Sequence, residues 1–114
     1  MTYTPEQLQA MRDWVALNVM KYTLDIDDYD NHWYYDEDGN GDAVEEFAPD
    51  EDANQMLMAL DTFKAGCLIM KRHDEVKVAI FTGKELIPDA VIRKDGNLGL
   101  AALVAMCRAS GMPE

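Results

Sequence analysis

His32-Trp33-Tyr34-Tyr35, then Asp36-Glu37-Asp38-Gly39-Asn40-Gly41-Asp42, then Ala43-Val44-Glu45-Glu46-Phe47 read as strand, glycine-bearing turn and strand. Aromatic side chains suit a pleated, half-buried surface, while Asp, Asn and Gly supply the positive φ angles and local side-chain bonds of a tight reversal. An antiparallel hairpin over residues 32–47 is the economical reading. Trp33 and Phe47, one on each strand, are expected in its buried face. Pro49 ends the second strand, and Asp50 is placed to cap a helix whose first turn holds Glu51 and Asp52, acids that favour the positive end of a helix dipole. Ala53, Met56, Leu57, Leu60 and Phe63 follow at helical spacing, and Gly66 stands where a C′ glycine belongs. A hairpin running directly into a helix makes this an α+β chain.

The flanks extend the pattern in both directions. Upstream, Thr4-Pro5-Glu6-Gln7 is a capping box with proline at the first helical position, where its missing N–H costs nothing. Leu8, Met11, Val15, Val19 and Tyr22 recur at spacings of three and four, which predicts an amphipathic helix to about residue 22. The stretch Leu24 to Asp30 alternates too briefly to define a strand and reads as irregular. Downstream, Cys67 to Met70 and Val76 to Ile80 form a second hairpin, the latter alternating with the period of a half-buried strand. Pro88 breaks any helix in Lys84 to Asp95, which reads as a crossing connection. Leu98 to Cys107 carries no charge, so as a helix it must be buried or lie in an interface, and Arg108 and Gly111 end it. The expectation is a single domain over residues 1–114: an antiparallel sheet of about four strands flanked by helices, an α/β/α sandwich, with an acidic hairpin segment at about 24–52.

Composition excludes more than it identifies. The 114 residues suit one domain, and 48% apolar residues can supply its core. No apolar run reaches the ~18 to 20 residues of a membrane span, and the start has neither a basic nor an apolar targeting region, so a cytoplasmic protein is expected. Cys67 and Cys107 show no metal or disulfide spacing and read as free buried thiols. The net charge is -12, which opposes direct nucleic-acid binding because that affinity depends on Lys and Arg displacing counterions. The charge is also uneven: Tyr22 to Phe63 holds 14 Asp and Glu and no Lys or Arg, against 8 acids and 10 bases elsewhere.

Several of these pieces together resemble the phage ABA sandwich domain family. They are Val19-Met20-Lys21-Tyr22 closing the first helix, Trp33 in the hairpin, Phe47-Ala48-Pro49-Asp50-Glu51-Asp52, and Ala105-Met106-Cys107-Arg108-Ala109. The likeness spans most of the chain, with Tyr22 where that family usually has tryptophan and Asp50-Glu51 where it has small hydroxyl residues. It implies an antiparallel sheet with helices on both sides and a phage or prophage origin in a bacterial host cell. It implies no activity.

Two constellations could carry function. Asp36-Glu37-Asp38-Gly39-Asn40-Gly41 matches the opening half of an EF-hand loop, in which side-chain oxygens at alternate positions converge on Ca²⁺ and glycine permits the sharp turn. The closing bidentate Glu is missing, since Phe47 stands in its place. Asp36, Asp38, Asn40 and Asp42 therefore offer weak Ca²⁺ binding at most, with a divalent-cation-stabilised structural module built on the Asp36 to Asp42 loop as the alternative function, and the same residues are what a hairpin turn demands. The second constellation is the acidic surface itself, with Asp25, Asp27, Asp28, Asp36, Asp38, Glu45 and Glu46 as candidate contacts for a basic protein partner, presenting carboxylates where phosphates are expected. A solvated, solubilising face is the plain alternative. His32 and His73 stand alone without ligand spacing, and Cys107 on an apolar helix lacks the electropositive pocket of a nucleophile. No catalytic or cofactor motif is present, so a non-enzymatic binding or accessory protein is expected. Met56 and Met58 point to different faces of the second helix, and a homodimer would cover a face that one chain leaves open.

Overall fold

A computed structural model of the chain describes residues 3–81 and 89–113. The first helix, α1 (Pro5–Trp14), opens with the expected capping box: Thr4 Oγ1 accepts from the Gln7 amide at 3.1 Å, and Gln7 Oε1 accepts from the Thr4 amide at 2.8 Å. It continues as a wider π-helical stretch over Val15–Val19, and Lys21, with φ 60°, ends it short of residue 22.

Two three-stranded antiparallel sheets follow, where one sheet of about four strands was expected. The first consists of β1 (Thr23–Ile26), β2 (His32–Tyr35) and β3 (Gly41–Ala43) in that order. Residues read as irregular thus include a strand; four residues with alternating carboxylates give too short a pattern to recognise. The second strand of the hairpin is shorter than predicted. Only Gly41–Ala43 pairs, and Val44–Glu46 turns as a 3₁₀ helix that swings Phe47 out of the sheet and into the core.

The hairpin's buried aromatic is Tyr34, while Trp33 is half-buried. Successive side chains on a strand face opposite sides, so a choice between neighbours decides which ring is inside. Tyr34, opposite Leu24 and Asp42, joins Tyr22 and Phe47 in an aromatic cluster with ring centroids 5.8–6.3 Å apart. The Tyr34 hydroxyl donates to the Asp13 carboxylate of α1, fixing the sheet to the helix.

Asp52, rather than Asp50, caps α2 (Ala53–Leu60), accepting from the amides of Asn54 at 2.9 Å and Gln55 at 3.2 Å. Asp50 instead makes a two-pronged ion pair with Arg12 of α1, at 2.7 and 2.8 Å, and its carboxylate is almost fully covered. Gly66 lies beyond the end of α2, at the entry to the second sheet, where φ +105° requires glycine.

The second sheet runs β4 (Cys67–Lys71), β5 (Val76–Ile80) and β6 (Asp89–Arg93), with β5 central. The expected crossing connection therefore contains a strand, and its earlier part, residues 84–88, falls outside the described residues. The last helix, α3 (Leu98–Ala109), is buried from Ala101 to Cys107, as its uncharged sequence demands. It packs across β5 and β6 on one side and against α1 and α2 on the other. Its end is a Schellman motif: the Met112 amide donates to Cys107 O, and the amide of Gly111, at φ +88°, donates to Arg108 O. The class is α+β, with α3 as the spine of the core. Of the two cysteines, Cys107 is buried but Cys67, on edge strand β4, is exposed, which corrects the expectation of two buried thiols.

Candidate functional site

The acidic segment folds into the first sheet with its two loops, the 3₁₀ turn and α2, and the two loops have the same construction. In residues 27–31 the Asp27 carboxylate accepts from the amides of Tyr29 and Asn31, both at 2.9 Å, while the Asp27 amide donates to Asn31 O and the Asp30 amide to Asp27 O. In residues 36–40 the Asp36 carboxylate accepts from the amides of Asp38 at 3.0 Å and Asn40 at 2.9 Å, with the same pair of backbone bonds. The fourth residue of each loop takes positive φ, Asp30 at 61° and Gly39 at 85°. The underlying signal is Asp-x-x-(Asp or Gly)-Asn, present twice in the sequence, and sequence reasoning noticed only the second copy.

This divides the candidate residues into two groups. Asp27 and Asp36 are half-buried and hold their own loops. Asp27 also accepts from the Trp33 indole at 3.0 Å, and these bonds, led by the Asn31 amide, hold its carboxyl below the usual carboxylate range. Asp25, Asp28, Asp38, Glu45 and Glu46 are exposed. Asp25 accepts only from the neighbouring Ile26 amide, and Glu46 contributes its backbone carbonyl to Gln55. Among the described residues, ion pairs from the acidic segment go only to Arg12, through Asp50 and Glu51. Lys21 and Lys64, which flank the segment, line a cleft of about 470 Å³ with Asp36 and Glu37 but do not pair with them among the described residues.

Asp36 spends its carboxylate on the loop's own amides, and Asn40 turns its side chain toward Asp36 at 3.4 Å. Among the described residues, no group of three His, Cys, Asp or Glu side chains is placed to hold a metal ion. Asp42, the fourth ligand suggested by the sequence, sits on β3 opposite Tyr34. His32 and His73 are both exposed. Cys107 is held among apolar neighbours, and burial pushes its thiol up to about 12.

Comparison with family models, curated proteins and solved structures returns no match to the chain. Among the described residues, no helix is long and apolar enough to cross a membrane.

Proposed function

We propose that this chain is a non-enzymatic accessory protein of the phage or prophage type, and that its first sheet binds a basic protein partner electrostatically. The observation that supports this is the pairing deficit of the acidic segment: its outward carboxylates on β1, the two loops and the 3₁₀ turn face solvent with no base within the segment. Unpaired carboxylates held on short, bonded loops keep a fixed spacing, as an array of phosphates does. Such a surface steers a cationic partner during encounter and weakens as salt rises.

The twin-loop geometry dictates the test. Asp27 and Asp36 are left intact because they hold the loops, and Asp28, Asp38, Glu45 and Glu46 are reversed to Lys. Proteins recovered from a bacterial lysate by wild type at low salt should be lost at high salt and lost with the reversed variant. For any purified partner, association should slow more than dissociation quickens. Recovery of the same proteins by both forms, regardless of salt, would mean that the acidic surface only solubilises the chain.

A further inference from the structure

Among the described residues no strand pairs with the outer side of β6, and the backbone pattern defines what that edge can bond. The Phe81 amide donates to Gly66 O and the Arg72 amide to Glu75 O, so even-numbered residues of β4 exchange bonds with odd-numbered residues of β5. Antiparallel ladders alternate bonded and non-bonded pairs. Val76 and Val78 of β5 therefore turn their amides and carbonyls toward Arg93 and Val91 of β6. The amides and carbonyls of Ala90 and Ile92 point the other way, along the edge where the sheet order ends.

That edge lies in a cleft of about 660 Å³. Val91 and Val104, both almost fully buried, supply apolar surface, and Tyr3 and Arg108 also line the cleft. Among the described residues its charge is opposite in sign to that of the molecule: Arg93, Lys94 and Arg108 meet there with one described acid, Asp95, which is bound to Arg93 at 2.6 Å. Among the described residues neither Lys94 nor Arg108 is in an ion pair.

We propose that the β6 edge is a docking groove for an extended peptide segment in which acidic residues alternate with apolar ones, added to the second sheet as a further strand. Strand addition takes affinity from main-chain bonds and specificity from alternate side chains. On the α3 side of the sheet, the face shared by Val91 and Arg93, a docked strand's side chains meet Arg108 and Tyr3. Acids belong there. On the opposite face they meet Ala90 and Ile92, and Ile92 is 54% exposed, so apolar residues belong there. A basic segment is repelled from this groove, which makes it independent of the acidic surface on the first sheet.

The probe is a blocked synthetic peptide, Thr-Glu-Val-Glu-Val-Thr, titrated into isotope-labelled protein at low salt. Binding should saturate. Hydrogen exchange of the Ala90 and Ile92 amides should slow at least tenfold, while Val91 and Arg93, already bonded to β5, change little. Arg108→Glu should weaken binding at least tenfold and Arg108→Gln severalfold, and replacing both Glu of the peptide with Lys should abolish it. The proposal is overturned if the peptide fails to saturate or if it saturates without protecting Ala90 and Ile92. It is also overturned if benzoate, an anion with no backbone to pair, displaces the peptide at equal concentration, which would make the cleft a small-anion site.

Discussion

Phe47 and Trp33 belong to the same acidic segment and carry different loads. Phe47 is 2% exposed within the cluster of Tyr22 and Tyr34, so Phe47→Ala should lower unfolding free energy by about 3 to 5 kcal/mol in a denaturant titration. Trp33 is half-buried and its indole bonds to the Asp27 carboxylate, so Trp33→Ala should cost less than half as much; equal losses would contradict the facing of β2. The two thiols differ as sharply. Cys67 is exposed on β4, whereas Cys107 is buried with its Sγ 3.6 Å from Met11 O. A disulfide reagent at neutral pH should titrate one thiol per folded chain quickly and the second only on unfolding. The pH dependence follows in sign. Burial raises the folded-state value of Cys107 to about 12, so above about pH 9 the unfolded chain releases a proton that the folded chain keeps, and stability declines as pH climbs through that window. Fast reaction of both thiols in the folded chain would contradict the burial of α3.

Asp50 joins three helices at one point. Its side chain clamps Arg12 of α1, it lies just ahead of the Asp52 cap of α2, and its carbonyl lies against the first turn of α3. A Cβ at Gly99 would come within 1.9 Å of Asp50 O and 2.7 Å of its carbonyl carbon, so no side chain fits without moving that backbone. Gly99→Ala should therefore destabilise by roughly 1 to 3 kcal/mol, although alanine is the better helix former. A stabilised Gly99→Ala variant in thermal unfolding would show that the close approach does not exist. The sequence alone marks Gly99 only as a weak helix residue, because contact between elements 49 positions apart leaves no local signature. What was legible is what is local: the Thr4 capping box, the helical stripes of α1 and α2, the β4–β5 hairpin and the uncharged α3. Strands β1 and β6 were not, since short edge strands alternate over too few residues to separate them from loops. The site divides in the same way. Its charge was plain from composition, but the roles of Asp27 and Asp36 depend on loop bonds that only the fold displays.

On the scale of the molecule, charge and packing are segregated. The exposed carboxylates gather on the first sheet, its loops and the turn into α2, while the buried core runs through α1, α2, α3 and the second sheet, takes in Tyr34 and Phe47 from the acidic segment, and among the described residues contains no buried charged or polar residue. Segregation places like charges together, and the repulsion among them opposes folding. The strength of that repulsion depends on screening, since the Debye length falls from about 30 Å at 0.01 M to about 8 Å at 0.15 M ionic strength. The wild-type melting temperature should therefore rise as sodium chloride is added over this range. Reversing Asp28, Asp38, Glu45 and Glu46 to Lys converts repulsion into attraction on a surface where none of the four side chains holds a loop. That variant should be at least as stable as wild type at low salt, and its melting temperature should rise less, or fall, as salt is added. A wild-type melting temperature that ignores salt would mean that solvent already screens the carboxylates from one another, and the acidic sheet would then lack the field that attraction of a basic partner requires.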